Sequence, residues 1–315
     1  MWLLVLVNFI LTSQVLGING KCRILALGGN SDKGAYEAGA INGLFSNLPA
    51  GEFSYDVVTG NGVGAWNAFL LAQWAVGNEA QAGAAINQFW LNFNKTKFYK
   101  EWAGGEAQGI LLEHGLYDAR PLEQSIKYYS NGSYKRWTGV GATDLLSGNY
   151  VFFNSSKLSL ETMNLGVRAS MAQQGTFPYI EFNNLELITG SVKFSVDILS
   201  GINACEELGY GQQNMIVDVI LCSGKKLATI NASKYTTIKV LKRTYEVQDY
   251  LDTMKIVVNS PLDYPDITVR TVTYPSQAIP ESDVPYDFTP SELQSMITLG
   301  TQDAQSALKV SYLYN

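Results

Sequence analysis

Short apolar runs alternate with longer helical patterns along the first half of the chain. Residues 24–27 form an apolar run closed by Gly28-Gly29, the pattern of a buried strand. Residues 35–44 then predict a helix. Residues 56–59 predict a second strand ended by Gly60, and the apolar, Pro-less stretch 64–74 predicts a second helix. Strands that alternate with helices predict an α/β domain with a largely parallel sheet. Further on, 80–92 predicts a helix, and 94–113, with its glycines and aromatics, a surface excursion. Strands are expected at 138–143, 150–153, 185–189, 215–222 and 236–241. Helices are expected at 159–171, 196–208, 246–256 and 291–308. Pro261, Pro265, Pro275, Pro280, Pro285 and Pro290 predict an extended, irregular stretch between the last two helices.

Composition adds limits to this picture. The 315 residues are 46% hydrophobic and 16% charged, enough apolar surface for a sizeable core. A net charge of −6 excludes the basic footprint of a nucleic-acid binder. Residues 1–17 are apolar and carry no charged side chain, with Val15 and Gly17 at the spacing of a cleavage site. They predict a signal peptide rather than a membrane span, which needs about 20 apolar residues. The expected organisation is thus a signal peptide at 1–17 and one domain at 18–315, with no repeat or linker. Its core is about 22–225 and its C-terminal extension about 226–315.

Secretion, or residence in an endomembrane lumen, gives four sequons a meaning: Asn94, Asn131, Asn154 and Asn231 are candidate glycosylation sites. Cys22, Cys205 and Cys222 allow at most one internal disulfide, whose pairing the sequence leaves open. No Cys or His pair has metal-site spacing. Neither a metal nor a cofactor is expected.

Two segments carry chemistry. The first is Leu25-Ala26-Leu27-Gly28-Gly29-Asn30-Ser31-Asp32-Lys33-Gly34, and the second is Thr59-Gly60-Asn61-Gly62-Val63-Gly64. With Ala142-Thr143-Asp144, Val167-Arg168-Ala169-Ser170-Met171-Ala172, Phe177-Pro178 and Ile188-Thr189-Gly190-Ser191, their order and spacing resemble the patatin-like phospholipase family over roughly residues 22–225. The resemblance implies a three-layer α/β/α sandwich with a mainly parallel central sheet. It also implies an oxyanion-hole loop at Gly28, Gly29, Asn30, Ser31, Lys33 and Gly34. A nucleophile elbow is implied at Gly60, Asn61, Gly62 and Gly64, and a catalytic carboxylate at position 189.

The residues that do the chemistry are absent from those positions. The elbow of this family lifts a serine above the sheet, yet Gly62 has no side chain with which to form an acyl-enzyme. Thr189 stands where the family has aspartate, and a hydroxyl is no general base near neutral pH. Asn30 and Ser31 replace glycines of the loop, and Ser191 replaces a glycine beside position 189. Losing one member of such a unit costs on the order of 10⁴-fold in rate. The resemblance therefore implies a catalytically inactive homologue that binds a lipid, a membrane surface or a protein partner. The alternative is an active lipid acyl hydrolase with divergent machinery. His114, the single histidine, has no nucleophile motif beside it and reads as a surface or packing residue. Asp197 reads as a helix-start acid, and Asp144 as a neighbour of the retained motifs. Lys33 keeps the family's basic position. Trp90, Phe93, Phe98, Tyr99 and Trp102 are expected either to pack the core or to line a lipid-facing lid.

Overall fold

The computed structural model describes residues 20–311 apart from 30, 31, 50, 228, 281 and 283. The expected signal peptide and the loop residues Asn30 and Ser31 lie outside the described residues. The chain opens with β1 (Cys22–Leu27), α1 (Gly34–Asn47), β2 (Val57–Gly60), α2 (Val63–Ala72) and α3 (Glu79–Leu91). It continues through α4 (Gly105–Leu112), α5 (Arg120–Tyr129), β3 (Trp137–Asp144), β4 (Tyr150–Asn154), α6 (Leu160–Ser170), β5 (Ile180–Phe182) and β6 (Leu185–Thr189). It ends with α7 (Ile198–Glu207), β7 (Met215–Ile220), α8 (Thr237–Asp263), β8 (Thr268–Thr273) and α9 (Pro290–Ser311).

These strands build one mixed, mostly parallel sheet. β3, β2, β1, β7 and β8 run parallel in that order; β4 and β6 pair antiparallel with β3, and β5 pairs antiparallel with β6. Helices cover both faces, which is why β1 reads as an unbroken apolar run rather than as an alternation. Its Leu25 and Leu27 point into the core shared with α1, α2, α3, α6 and α9, while Ile24 and Ala26 point into the core under α7 and α8. The result is the α/β/α sandwich with a mainly parallel sheet.

One detail of register positions the site. β4 occupies one edge of β3 from Gly139 to Thr143, so β2 and β6 must share the other edge. They follow one another along it, β2 opposite Trp137–Val140 and β6 opposite Ala142–Asp144. The end of β6 therefore meets the turn that leaves β2.

Four sequence expectations need correction. Residues 236–241 are helical: Thr236 caps α8 by accepting the Lys239 N–H, and a cap outweighs the weak strand preference of β-branched residues. The stretch between the last two helices is not irregular throughout, since α8 continues through Pro261 and β8 adds a parallel strand. Pro265 and Pro275 flank that strand rather than interrupt it. Residues 94–113 are more than a surface excursion, because they contain α4 and insert Phe98 and Tyr99 into the core. Residues 120–129, for which no element was expected, form α5, with Pro121 in its first turn.

Buried polar groups tie the C-terminal extension to the rest. Asp218 on β7 is fully buried and accepts from the Arg270 guanidinium on β8, from Tyr55 Oη at 2.8 Å and from Thr271 Oγ1 at 2.6 Å. A second pair, Arg136 and Glu79 at 2.7 Å, is fully excluded from solvent. Cys22 at the start of β1 is disulfide-bonded to Cys205 in α7, and Cys222 stands outside that bond.

Candidate functional site

β2 delivers the chain into a sharp turn at Asn61-Gly62, from which α2 begins. Gly62 has φ +54° and ψ −128°, backbone that costs an L-residue steric strain and costs glycine nothing. The geometry is that of a strained strand-to-helix turn, the form a nucleophile elbow takes, with glycine at its apex. The Gly62 N–H donates to Ser170 Oγ on α6 at 3.1 Å, and the Asn61 and Gly62 carbonyls accept the first bonds of α2.

The glycine loop after β1 lies directly on this turn. The carbonyl of Gly29 accepts the Val63 N–H at 3.2 Å. The Gly28 N–H goes to the Ile220 carbonyl at 2.8 Å and the Gly29 N–H to the Ser195 carbonyl at 3.0 Å. An oxyanion hole needs such donors aimed at the reacting oxygen. Here three N–H groups next to the elbow are spent on the protein's own carbonyls. A Cβ at position 62 would overlap the Gly29 carbonyl oxygen and come within 3.0 Å of Ser191 Oγ. Gly29 is equally confined, since a Cβ there would overlap the Asn61 carbonyl.

Thr189 closes β6 opposite Ala142, with its N–H on the Ala172 carbonyl at 2.9 Å and its Oγ1 accepting from the Ser191 N–H at 3.3 Å. A Cβ at Gly190 would lie 2.8 Å from Asn61 Oδ1. Residues 189–191 thus abut the elbow, and Ser191 Oγ fills space that a side chain at position 62 would take. That hydroxyl is buried and has no hydrogen-bond partner among the described residues.

Asn61 is fully buried. Its Oδ1 accepts from the Gly141 N–H and faces Tyr150 Oη, each at 3.0 Å, and its Nδ2 donates to the Phe194 carbonyl at 2.6 Å. Tyr150 Oη also lies 2.8 Å from Asp197 Oδ2. Burial holds the Tyr150 pKa well above its ordinary value, with Asp197 pushing it further, and burial raises Asp197 too. Asp197 is nonetheless committed to structure, because its Oδ1 caps α7 by accepting the Ser200 N–H at 2.9 Å. Asp144 is held below the usual carboxylate range by the Ser147 hydroxyl and by the backbone N–H groups of Glu186, Leu146 and Ser147. No local sequence signal marked Tyr150 or Ser170 as a partner of the elbow.

The remaining candidates fall outside this cluster. His114 is exposed, with its ring against Tyr179 at 4.6 Å between centroids. Lys33 donates to the Pro280 carbonyl at 3.0 Å, and Gly34 opens α1 beneath Trp90. The lipid-facing lid is not what the aromatics form: Trp90, Phe93, Phe98 and Tyr99 are buried, and Trp102 is half-buried with its indole N–H on the Gly115 carbonyl. Tyr286, from the Pro-rich segment, packs edge-on against Phe98 and stacks on Phe177, and its N–H donates to Asp32. Asn94, Asn131 and Asn231 are exposed, whereas Asn154 is buried, its Oδ1 accepting from Ser156 and Lys157 N–H groups. Among the described residues, no three His, Cys, Asp or Glu side chains gather as a metal site.

A glycine loop and a sharp strand-to-helix turn lie together at the ends of parallel strands in an α/β/α fold. Residues 25–200 match the patatin-like phospholipase family, more than half of the chain, and the chain belongs to that family. Among solved structures it is similar to VipD from Legionella pneumophila, with a TM-score of 0.44 and 10% identity, over 93% of this chain and 67% of that one. Comparison with curated proteins gives no match.

Proposed function

We propose that this chain is a catalytically inactive patatin-like protein, a scaffold that binds a lipid, a membrane surface or a protein partner in place of hydrolysing an ester. One observation carries the reading: the nucleophile position is Gly62, and the Gly29 carbonyl occupies the space a side chain there would need. Two facts add to it. Thr189 supplies no carboxylate, and the N–H groups of Gly28, Gly29 and Val63 have backbone partners. The proposed location is the secretory route or an endomembrane lumen. The Cys22–Cys205 disulfide supports an oxidising compartment, and the exposed Asn94, Asn131 and Asn231 are the sequons a glycan would use.

The second reading, a divergent acyl hydrolase, has one observation in its favour. Ser191 Oγ is a buried hydroxyl beside the elbow with no partner among the described residues. It has no base: Thr189 donates no carboxylate, and Asp197 is engaged by Tyr150 and the α7 cap. The test is hydrolysis of a short fluorogenic acyl ester and of a phospholipid by the mature protein, beside Ser191→Ala. The expected result is no turnover above buffer for either protein. Turnover that disappears in Ser191→Ala would establish the second reading and end the first.

A further inference from the structure

A cleft of about 400 Å³ opens where the C-terminal end of α2 meets α3 and the end of α5. α2 runs about 15 Å from the Gly62 turn to reach it, so the cleft is separate from the elbow. Leu70, Ile86 and Phe89 line it with buried apolar surface. Trp74 and Tyr129 are half-buried beside them, and Tyr128 is 80% exposed, edge-on to Tyr129 at 4.9 Å between centroids. Gln88 and Asn92, both exposed, add amide groups to the lining. The cation of the lining, Lys97, donates to the Asn92 carbonyl at 3.1 Å and lies over the Phe89 ring, 5.1 Å from its centroid. Among the described residues no acid lines the cleft. Aromatic rings and amides around a cation that is already engaged suit a neutral, polyhydroxylated occupant better than an ion.

Asn131 lines the same cleft and is the acceptor of the sequon Asn131-Gly132-Ser133. It is exposed, on the turn that leaves α5, and Gly132 there has φ +82°. Its N–H donates to Gln73 Oε1 at 2.7 Å, which fixes the residue at the end of α2. Tyr128 and Tyr129 stand just before it in the chain. The sequon and the aromatic rings therefore share one cleft. Asn94 and Asn231 line no part of it.

We propose that Asn131 carries an N-glycan whose first sugars fold back into this cleft and cover its aromatic rings. The inference rests on the secretory location proposed above. Transfer joins Asn131 Nδ2 to the anomeric carbon of an oligosaccharide held on a polyprenyl diphosphate. The anomeric C–O bond breaks, the diphosphate leaves with the bonding pair, and the amide gives up one proton. The linking sugar, N-acetylglucosamine, offers a face of axial C–H groups to Tyr128 and Trp74, and its hydroxyls and acetamide to Gln88 and Asn92. Each contact is weak, but the covalent tether holds the sugar at an effective concentration of about millimolar. The occupant is part of the mature chain, so no partner is needed to cover Tyr128.

The test uses the full chain secreted by cultured eukaryotic cells. Mass spectrometry of its peptides reads occupancy at Asn94, Asn131 and Asn231. Thermal unfolding compares the parent with Ser133→Ala, Tyr128→Ala and the double variant. Ser133→Ala removes the glycan and keeps the Asn131 side chain; the Tyr128 ring is exposed, so its loss alone opens no core. Asn131 is expected to be occupied, and each single variant to lower the midpoint by about 2–4 °C. The double variant should fall no further than either single one, because glycan and ring stabilise only through each other. Additive shifts, or no shift in Ser133→Ala, overturn the docking. An Asn131 free of sugar while Asn94 or Asn231 carries it overturns the proposal and leaves the secretory location standing. Sugar at none of the three overturns both.

Discussion

Restoring the family's nucleophile should damage this protein rather than revive it. Gly62→Ser places a Cβ against the Gly29 carbonyl oxygen and within 3.0 Å of Ser191 Oγ. Normal contact between a carbon and an oxygen needs well over 3 Å, so the loop has to retreat by roughly 1 Å. That retreat breaks the Val63 N–H bond to Gly29 and disturbs the Gly29 bond to Ser195. Overpacking of this kind costs about 1–3 kcal/mol. An L-residue held at φ +54° and ψ −128° adds about 1–3 kcal/mol more. The expected loss of about 2–6 kcal/mol is a large part of the 5–15 kcal/mol that holds a typical domain together. Thermal unfolding of Gly62→Ala, Gly62→Ser and Gly62→Ser/Thr189→Asp should show midpoints lowered by roughly 5–20 °C, with ester hydrolysis at background in all three. Adding Ser191→Gly to Gly62→Ser should recover part of the loss, because it removes one of the two obstructions. A Gly62→Ser protein as stable as the parent, combined with ester turnover by the double variant, would refute the collapsed-site reasoning. The glycine loop would then be free to withdraw and the pocket would exist in waiting.

Glu37 should give stability a pH slope of unusual sign. Its carboxyl is fully buried, and desolvation lifts its pKa to about 8 despite a bond from Asn67. Between the ordinary carboxylate range and pH 8 the folded state keeps a proton that the unfolded state has lost. Stability therefore falls as pH rises through that window, by up to about 5 kcal/mol. Unfolding midpoints measured from pH 5 to 9 should decline for the parent and decline less for Glu37→Gln. Glu79→Gln leaves the Arg136 guanidinium buried without its counter-charge and should cost about 3–5 kcal/mol, read as a denaturant midpoint shift at unchanged slope. Cys205→Ser opens a loop spanning 183 residues and should cost about 5 kcal/mol by chain entropy; urea unfolding with and without reductant should show the parent, once reduced, matching the variant.

The parts of this fold that could be read from the sequence are those where local pattern and tertiary role coincide. Residues 24–27 are apolar because both faces of β1 are covered, and Gly28-Gly29 follow because the chain turns there against another backbone. Position 62 could be located because an elbow requires glycines at fixed offsets. What occupies the space above it could not, because a Gly29 carbonyl bonded to the Val63 N–H is a backbone arrangement with no side-chain signature. The contacts of Tyr150 and Ser170 with the turn were hidden for a related reason, since each meets it across more than 80 residues of sequence, although Ser170 lies in a segment that carried the resemblance. The strand expected at 236–241 failed because β-branched residues there were weighed without Thr236 as a cap. β8 was hidden by prolines that turned out to mark its limits.

The ion pair between Asp218 and Arg270 has a consequence for how the protein is made. Asp218 lies on a central strand and is fully buried, yet its cation is supplied from the other side of α8, 52 residues later in the chain. On a ribosome residues up to β7 emerge first, with that carboxylate lacking its countercharge and the Phe98 cluster lacking Tyr286. Until the last quarter of the chain is out, the nascent protein carries an unneutralised charge in its core and an open aromatic surface. Such a state invites aggregation or chaperone capture. Completion of the core thus waits for the segment that carries Arg270 and Tyr286.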